Sequence, residues 1–220
     1  MIVLVTATGT DAGKTTLTRG LARAARLRGV DVVGIKPFET GVSESAVDAV
    51  ALEHAAGAAW AGPWFRAASP VAPWAATTMG EGAVDWDGIV HALRAAGDRH
   101  ELVLVEGAGG VRVPVDAEHE VRDLARVLDA RVLLVAPDVL GVLSYALTAV
   151  DALRAVGVVP EVVLRAAPTP DPSSATNGAL LEKKLGRRVH RFPYLDGADD
   201  ALAGAVEDAG LLDVCLAVSR

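Results

Sequence analysis

Short runs of β-branched and leucine-rich residues recur along the chain, separated by segments whose apolar residues return every third or fourth position. The runs Ile2–Thr6, Val30–Lys36, Glu101–Glu106, Arg131–Ala136 and Glu161–Leu164 are apolar almost without alternation. That pattern predicts strands buried on both faces. Arg188–Phe192 is a weaker sixth. Between the first two runs, Leu17, Leu21, Ala24, Ala25 and Arg28 fall on helical spacing over 15–28, and Gly29 follows as a stop. Leu143, Leu147, Val150 and Leu153 repeat the pattern over 142–156, closing at Gly157. Alternating strands and helices predict parallel strands joined by right-handed crossovers, an α/β architecture with helices on a mostly parallel sheet. Two stretches break the alternation. Residues 57–83, with their tryptophans, prolines and small residues, read as a long loop or helix-poor excursion, and Pro168–Ser174 as a proline-rich turn without regular pattern.

Composition adds bounds to this picture. A chain of 220 residues, 51% hydrophobic, has material for one core, so a single domain over 1–220 is expected. Its apolar runs are far shorter than the roughly 20 residues a membrane helix needs. Met1 leads into a strand without a basic segment, so no secretory leader is read. Cys215 is the sole cysteine and the five histidines have no ligand spacing, which excludes intrachain disulfides and cysteine-cluster metal sites. The expectation is a soluble, cytoplasmic protein. A net charge of −7 with no offsetting basic stretch argues against a nucleic-acid partner.

Chemistry enters at Val5–Thr16, which reads VTATGTDAGKTT between a strand and a helix. A phosphate loop needs small residues so that backbone N–H groups can turn inward around a phosphate. It needs a lysine for the β- and γ-phosphates and a hydroxyl for Mg²⁺. Gly13, Lys14 and Thr15 supply that ending, before a helix N-terminus with its positive dipole end. The strict spacing is not met: Thr8 stands where the pattern asks for glycine, with Gly9 one position too close.

Two further residues end strands. Lys36, in GIKPFETG (34–41), would share a sheet edge with the phosphate loop, and open α/β sheets bind ligands at the carboxyl ends of their strands. Glu106 closes ELVLVEGAGG (101–110), four apolar residues followed by an acid, a Walker-B-like arrangement in which the carboxylate helps to hold Mg²⁺. A buried carboxylate is costly without a partner or metal, which favours the metal reading. Gly107, Gly109 and Gly110 then let the backbone pass close to a ligand. Asp48 by itself is an acid at a helix start. Asp11, an acid inside the loop, either points outward or faces a cationic group.

These motifs, in this order, resemble dethiobiotin synthetase. The family's loop, T-G-T-x-x-x-x-G-K-T, is met by Thr6–Thr15 with Ala7 for the first glycine; K-P-x-x-(S/T)-G is met by Lys36, Pro37, Thr40 and Gly41; V-E-G-A-G-G is met without change by Val105–Gly110. The resemblance implies a P-loop NTPase-type three-layer fold. It also implies an ATP-dependent ring closure in which 7,8-diaminopelargonic acid takes up CO₂ as a carbamate. The carbamate attacks the γ-phosphate, and the second amine displaces phosphate from the mixed anhydride to close the cyclic urea.

On this resemblance Lys14, Thr10 and Lys36 would be catalytic. Gly9, Thr10, Asp11, Ala12, Gly13, Lys14, Thr15 and Thr16, with Glu106 and Gly109, would bind the nucleotide. Thr15, Asp48 and Glu106 would hold Mg²⁺. Asp11, Lys36, Thr40, Gly107, Ala108, Gly110, Leu143 and Ser144 would contact the diamine substrate, and the protein would be a homodimer whose second subunit helps to bind the substrate's carboxylate tail.

The sequence departs from the family at two places. Ser144 and Tyr145 replace the asparagine and histidine that often follow the fourth strand, and Ala166 stands where many members carry an adenine-reading asparagine. An alanine cannot read a base edge, so discrimination between ATP and other triphosphates has no support at that position. Other readings are a P-loop switch ATPase, which usually carries an extra loop lysine absent from residues 7–12, an amide-forming ligase with an added glutamine-hydrolysing domain, and a nucleotide-binding module without diamine chemistry.

Overall fold

The computed structural model describes residues 1–42, 47–62, 64–169 and 171–217. Six strands form one parallel sheet: β1 (Ile2–Ala7), β2 (Val32–Ile35), β5 (Leu102–Glu106), β6 (Arg131–Asp138), β7 (Glu161–Ala166) and β8 (Val189–Phe192), in the order β2-β5-β1-β6-β7-β8. All six apolar runs became strands of this sheet, and every pairing in it is parallel. A separate parallel pair joins β3 (Phe38–Thr40) to β4 (Phe65–Ala67).

The near-continuous apolar runs follow from a sheet covered on both faces. Along β1, Val3, Val5 and Ala7 face one core and Leu4 the other; along β5, Leu102 and Leu104 face the first, Val103 and Val105 the second. The first core is closed by α1 (Lys14–Leu27), α2 (Val47–Ala56), α8 (Asp199–Asp208) and α9 (Leu211–Leu216), which contribute Leu17, Leu21, Ala55, Leu202 and Leu212. The second is closed mainly by α4 (Trp86–Arg99), α5 (Val121–Val127), α6 (Val142–Arg154) and α7 (Asn177–Leu185), through Ile89, Leu93, Leu124, Val150 and Leu181. The result is the three-layer α/β arrangement that the alternation predicts.

Residues 57–83 correct the sequence reading in part. They are not a bare loop: β4 pairs with β3, and α3 (Pro73–Thr78) starts on a proline whose missing N–H costs nothing at a helix start. Three-residue and six-residue elements are too short to show a period, so their pattern was invisible. The turn at 168–174 holds one 3₁₀ turn, Pro172–Ala175, capped by the Asp171 carboxylate accepting from the Ser173 N–H.

Candidate active site

The strand order decides which loops meet. β5 lies between β1 and β2, so the carboxyl ends of these three neighbours deliver the phosphate loop, Lys36 and Glu106 to one edge. There they line a cleft of about 540 Å³. The chain moves from β1 to one side of the sheet and later returns to β6 on the other, the crossover geometry that opens a crevice in such folds.

The phosphate loop is shaped by its own sequence. Gly13, with φ of 93°, precedes the first residue of α1 in a left-handed conformation that a side chain would resist. Asp11 also has positive φ, 55°, which aspartate tolerates better than most residues, and its exposed carboxylate lines the cleft mouth. Lys14 is buried, and its Nζ donates to the Gly9 carbonyl at 3.2 Å. The Gly107–Gly110 turn runs along the loop: a Cβ on Gly110 would lie 3.2 Å from the Thr8 carbonyl oxygen, and one on Gly109 would lie 3.6 Å from the Thr10 hydroxyl.

Glu106 is the electrostatic centre. It is fully buried, and its Oε1 accepts from Thr15 Oγ1 at 2.8 Å and from Lys36 Nζ at 2.5 Å. Lys36 Nζ also donates to Asp48 Oδ2 at 2.9 Å. Asp48 is presented by α2, whose first turn is held by a residue the sequence did not single out: buried Glu39 accepts from the Asp48 N–H at 2.7 Å and the Ala49 N–H at 3.4 Å. A carboxylate at a helix N-terminus satisfies otherwise unpaired donors and complements the dipole. Glu39 thereby aims Asp48 at Lys36.

The two lysines respond oppositely to this environment. Burial pushes Lys14 down to about 8, aided by the Lys36 ammonium and opposed by Glu106, Asp48 and Asp11. Burial works on Lys36 too, but Glu106 and Asp48, acting by charge and by hydrogen bond, outweigh it and hold that lysine above its ordinary value.

The donor set suits a hard divalent cation. Glu106 Oε2 is buried with no hydrogen-bond partner, while Thr15 Oγ1 and Asp48 converge on the same carboxylate and lysine. Two carboxylates and a hydroxyl match an ion that keeps several waters and takes phosphate oxygens as further ligands, as Mg²⁺ does. No group of three histidine, cysteine or acidic residues is arranged for a metal among the described residues.

Thr10, Thr16, Thr40, Ala108 and Gly109 also line the cleft. Ala12 and Gly107 are buried: Gly107 donates to the Val5 carbonyl at 3.0 Å, and a Cβ on it would press Val121 at 2.8 Å. Leu143 and Ser144 lie elsewhere, in the first turn of α6, with Ser144 exposed and neither residue lining the cleft. The opposite wall comes from Phe38 and from Pro70–Pro73 of the excursion, and Arg165 closes the end nearest β7. Sequence reasoning found none of these, because no local pattern marks a wall residue.

A family profile described as an AAA domain matches residues 2–200. The chain is similar to the ATP-dependent dethiobiotin synthetase BioD of an Anaeromyxobacter species, 38% identical over 192 residues that cover 84% of this chain and 86% of that one. Proteins of the same name from Haloferax mediterranei and Streptomyces coelicolor are 35% and 37% identical, over 98% and 94% of this chain and 94% and 87% of theirs. Among solved structures it resembles chloroplast FtsY from Physcomitrella patens, with a TM-score of 0.52 and 16% identity over 90% of this chain and 59% of that one, a likeness of fold alone. Identity at the level of the three synthetases, spread over nearly the whole of both chains, is a family relationship, and this chain belongs to the ATP-dependent dethiobiotin synthetase family.

Proposed function

We propose that the protein is a ligase of biotin biosynthesis that makes dethiobiotin from 7,8-diaminopelargonic acid, CO₂ and ATP. The observation that carries this reading is the contact of the Lys36 ammonium with Glu106 and Asp48 at the mouth of the phosphate loop. A switch ATPase needs the loop and the acid, but a buried second lysine beside them is suited to an anionic acceptor. Lys36 would neutralise the carbamate as it approaches the γ-phosphate, and Lys14 and the loop amides would stabilise charge on the transferring group. The carbamate oxygen forms a bond to phosphorus and ADP leaves. The second amine then attacks the carbamoyl carbon, loses its proton, and releases inorganic phosphate.

The residues Gly9–Thr16, with Gly109, would cradle the triphosphate, and Thr10 would help to position the phosphoryl group. Thr15, Asp48 and Glu106 would hold Mg²⁺, which supplies charge neutralisation between phosphate oxygens when bound. Asp11 would face a substrate ammonium. Thr40, Ala108, Gly107 and Gly110 would border the diamine, leaving Leu143 and Ser144 to serve its carboxylate tail from a second subunit of a homodimer. The whole chain would act as one domain in the cytoplasm.

Purified protein incubated with the diamine, bicarbonate, Mg²⁺ and ATP should give diamine-dependent dethiobiotin by mass spectrometry. Lys14→Ala should lose nucleotide binding and turnover together, and Lys36→Ala should lose turnover while retaining nucleotide. ATP hydrolysis that the diamine does not affect, with no dethiobiotin formed, would overturn the reading in favour of a switch ATPase.

A further inference from the structure

Arg165 occupies a position whose chemistry the synthetase reading does not use. It is the penultimate residue of β7, two strands from the phosphate loop, yet its side chain lies across that loop: a Cβ on Gly13 would fall 2.2 Å from Arg165 Cδ and 2.5 Å from its Nε. The guanidinium stacks over the Tyr194 ring, with 4.6 Å to the ring centroid. Among the described residues it is paired with no carboxylate, and its Nε is shut off from solvent without an acceptor. A half-buried arginine whose Nε–H is shut off from solvent without an acceptor is costly, so the arrangement calls for an anion.

The sheet order says which part of a nucleotide would supply it. Glu106, Lys36 and Asp48 gather on the β5–β2 side of the loop, whereas Arg165 reaches over from the β7–β8 side. A triphosphate whose terminal phosphate meets Lys36 therefore turns its nucleoside-proximal phosphates towards Arg165. Beside it Ala166 offers no hydrogen-bonding side chain to a base. We propose that Arg165, braced by Tyr194, is a nucleotide-binding residue that grips the phosphate chain from the β7 side. Affinity then comes from a contact common to all nucleoside triphosphates, and the protein discriminates weakly between bases. The inference rests on the reading of this cleft as a nucleotide site and is independent of the diamine chemistry. Gly13 is required first by its own φ of 93°, and a side chain there would also have to displace the arginine stem.

The test is calorimetric titration of the wild-type protein and of Arg165→Ala, Arg165→Lys and Tyr194→Leu variants. The probes are the β,γ-imido analogues of ATP and GTP and inorganic tripolyphosphate, each with Mg²⁺. Loss of one charge-assisted contact should weaken all three ligands in Arg165→Ala by a similar factor, roughly 10- to 100-fold. Arg165→Lys keeps the charge and should recover part of the affinity, which preserves the test if the alanine variant folds poorly. Tyr194→Leu should fall between wild type and Arg165→Ala. Unchanged or tighter binding in Arg165→Ala, a loss confined to one base, or a loss for nucleotides but not for tripolyphosphate would each overturn the proposal. A wild type that binds both analogues yet makes no dethiobiotin defeats only the ligase reading, so the two failures are separable.

Discussion

At the scale of residues, environment decides what a side chain does more than its type does. Lys14 and Lys36 are equally buried, each 6% exposed, yet one is pushed down and the other held up, because only Lys36 touches carboxylates. His190 gives a case with a stability consequence. It is buried in β8, its Nδ1 has no partner, and its Nε2 lies 3.5 Å from Glu161. Burial lowers its pKa below 6.5; Arg188 and Arg187 act in the same direction, and Glu161 acts against them. The unfolded chain therefore takes up a proton that the native state resists. The stabilisation from neutral His190 is complete above the unfolded value and is lost progressively as pH falls from there through the lower folded value. His190→Gln should flatten this dependence, so that the melting temperature falls less than in wild type between about pH 7.5 and 5.5. An equal fall in both proteins would assign the acid sensitivity elsewhere.

Among the elements, α1 links loop to core. Its buried stripe of Leu17, Leu21, Ala24 and Ala25 was legible from spacing alone, because an amphipathic helix repeats its apolar positions at its own period. What spacing did not show is that Gly20 lies where α1 meets α8: a Cβ there would sit 2.9 Å from the Leu202 carbonyl oxygen and 3.0 Å from Val206 Cγ2. A backbone oxygen cannot swing aside as a side chain does. Gly20→Val should therefore cost roughly 2 kcal/mol or more by overpacking, measured as a shift of the urea midpoint at constant slope. A variant as stable as wild type would show that the two helices part freely. The same limit on local reading explains Glu39, whose role at the start of α2 depends on β3 lying beside a helix that begins eight residues after that glutamate.

At the scale of the whole molecule, α6 carries residues that the cleft of its own chain does not use. Leu143 and Ser144 sit away from the cleft of their own chain, while Leu140 and Tyr145 beside them are 80% and 63% exposed. If α6 meets a second copy, as the proposed homodimer requires, this patch is the place where burying apolar area would be favourable. Leu140→Asp should shift the protein to monomer in sedimentation and raise KM for the diamine while leaving nucleotide affinity unchanged. A wild type that sediments as a monomer, or a dimer indifferent to the substitution, would remove α6 from the interface. Nothing in the described residues is a helix long and apolar enough to cross a membrane.

The sequence by itself determined the parts whose physics is local. Buried strands need unbroken apolar runs, a phosphate loop needs small residues ahead of lysine and a hydroxyl, and an acid ending an apolar strand is too costly to stand without purpose. Those requirements mark the six sheet strands, the loop with Lys14, and Glu106 from the sequence alone, and the helical period marks α1 and α6. Only the tertiary structure decided that β5 lies between β1 and β2, and so that Lys36 and Glu106 lie 2.5 Å apart across 70 residues of chain. It alone decided that Arg165 crosses from β7 to Gly13, and that the excursion at 57–83 becomes a wall. Strand order is set by the burial of two whole helical layers at once. That sum is taken over the entire chain, and no short window of sequence contains it.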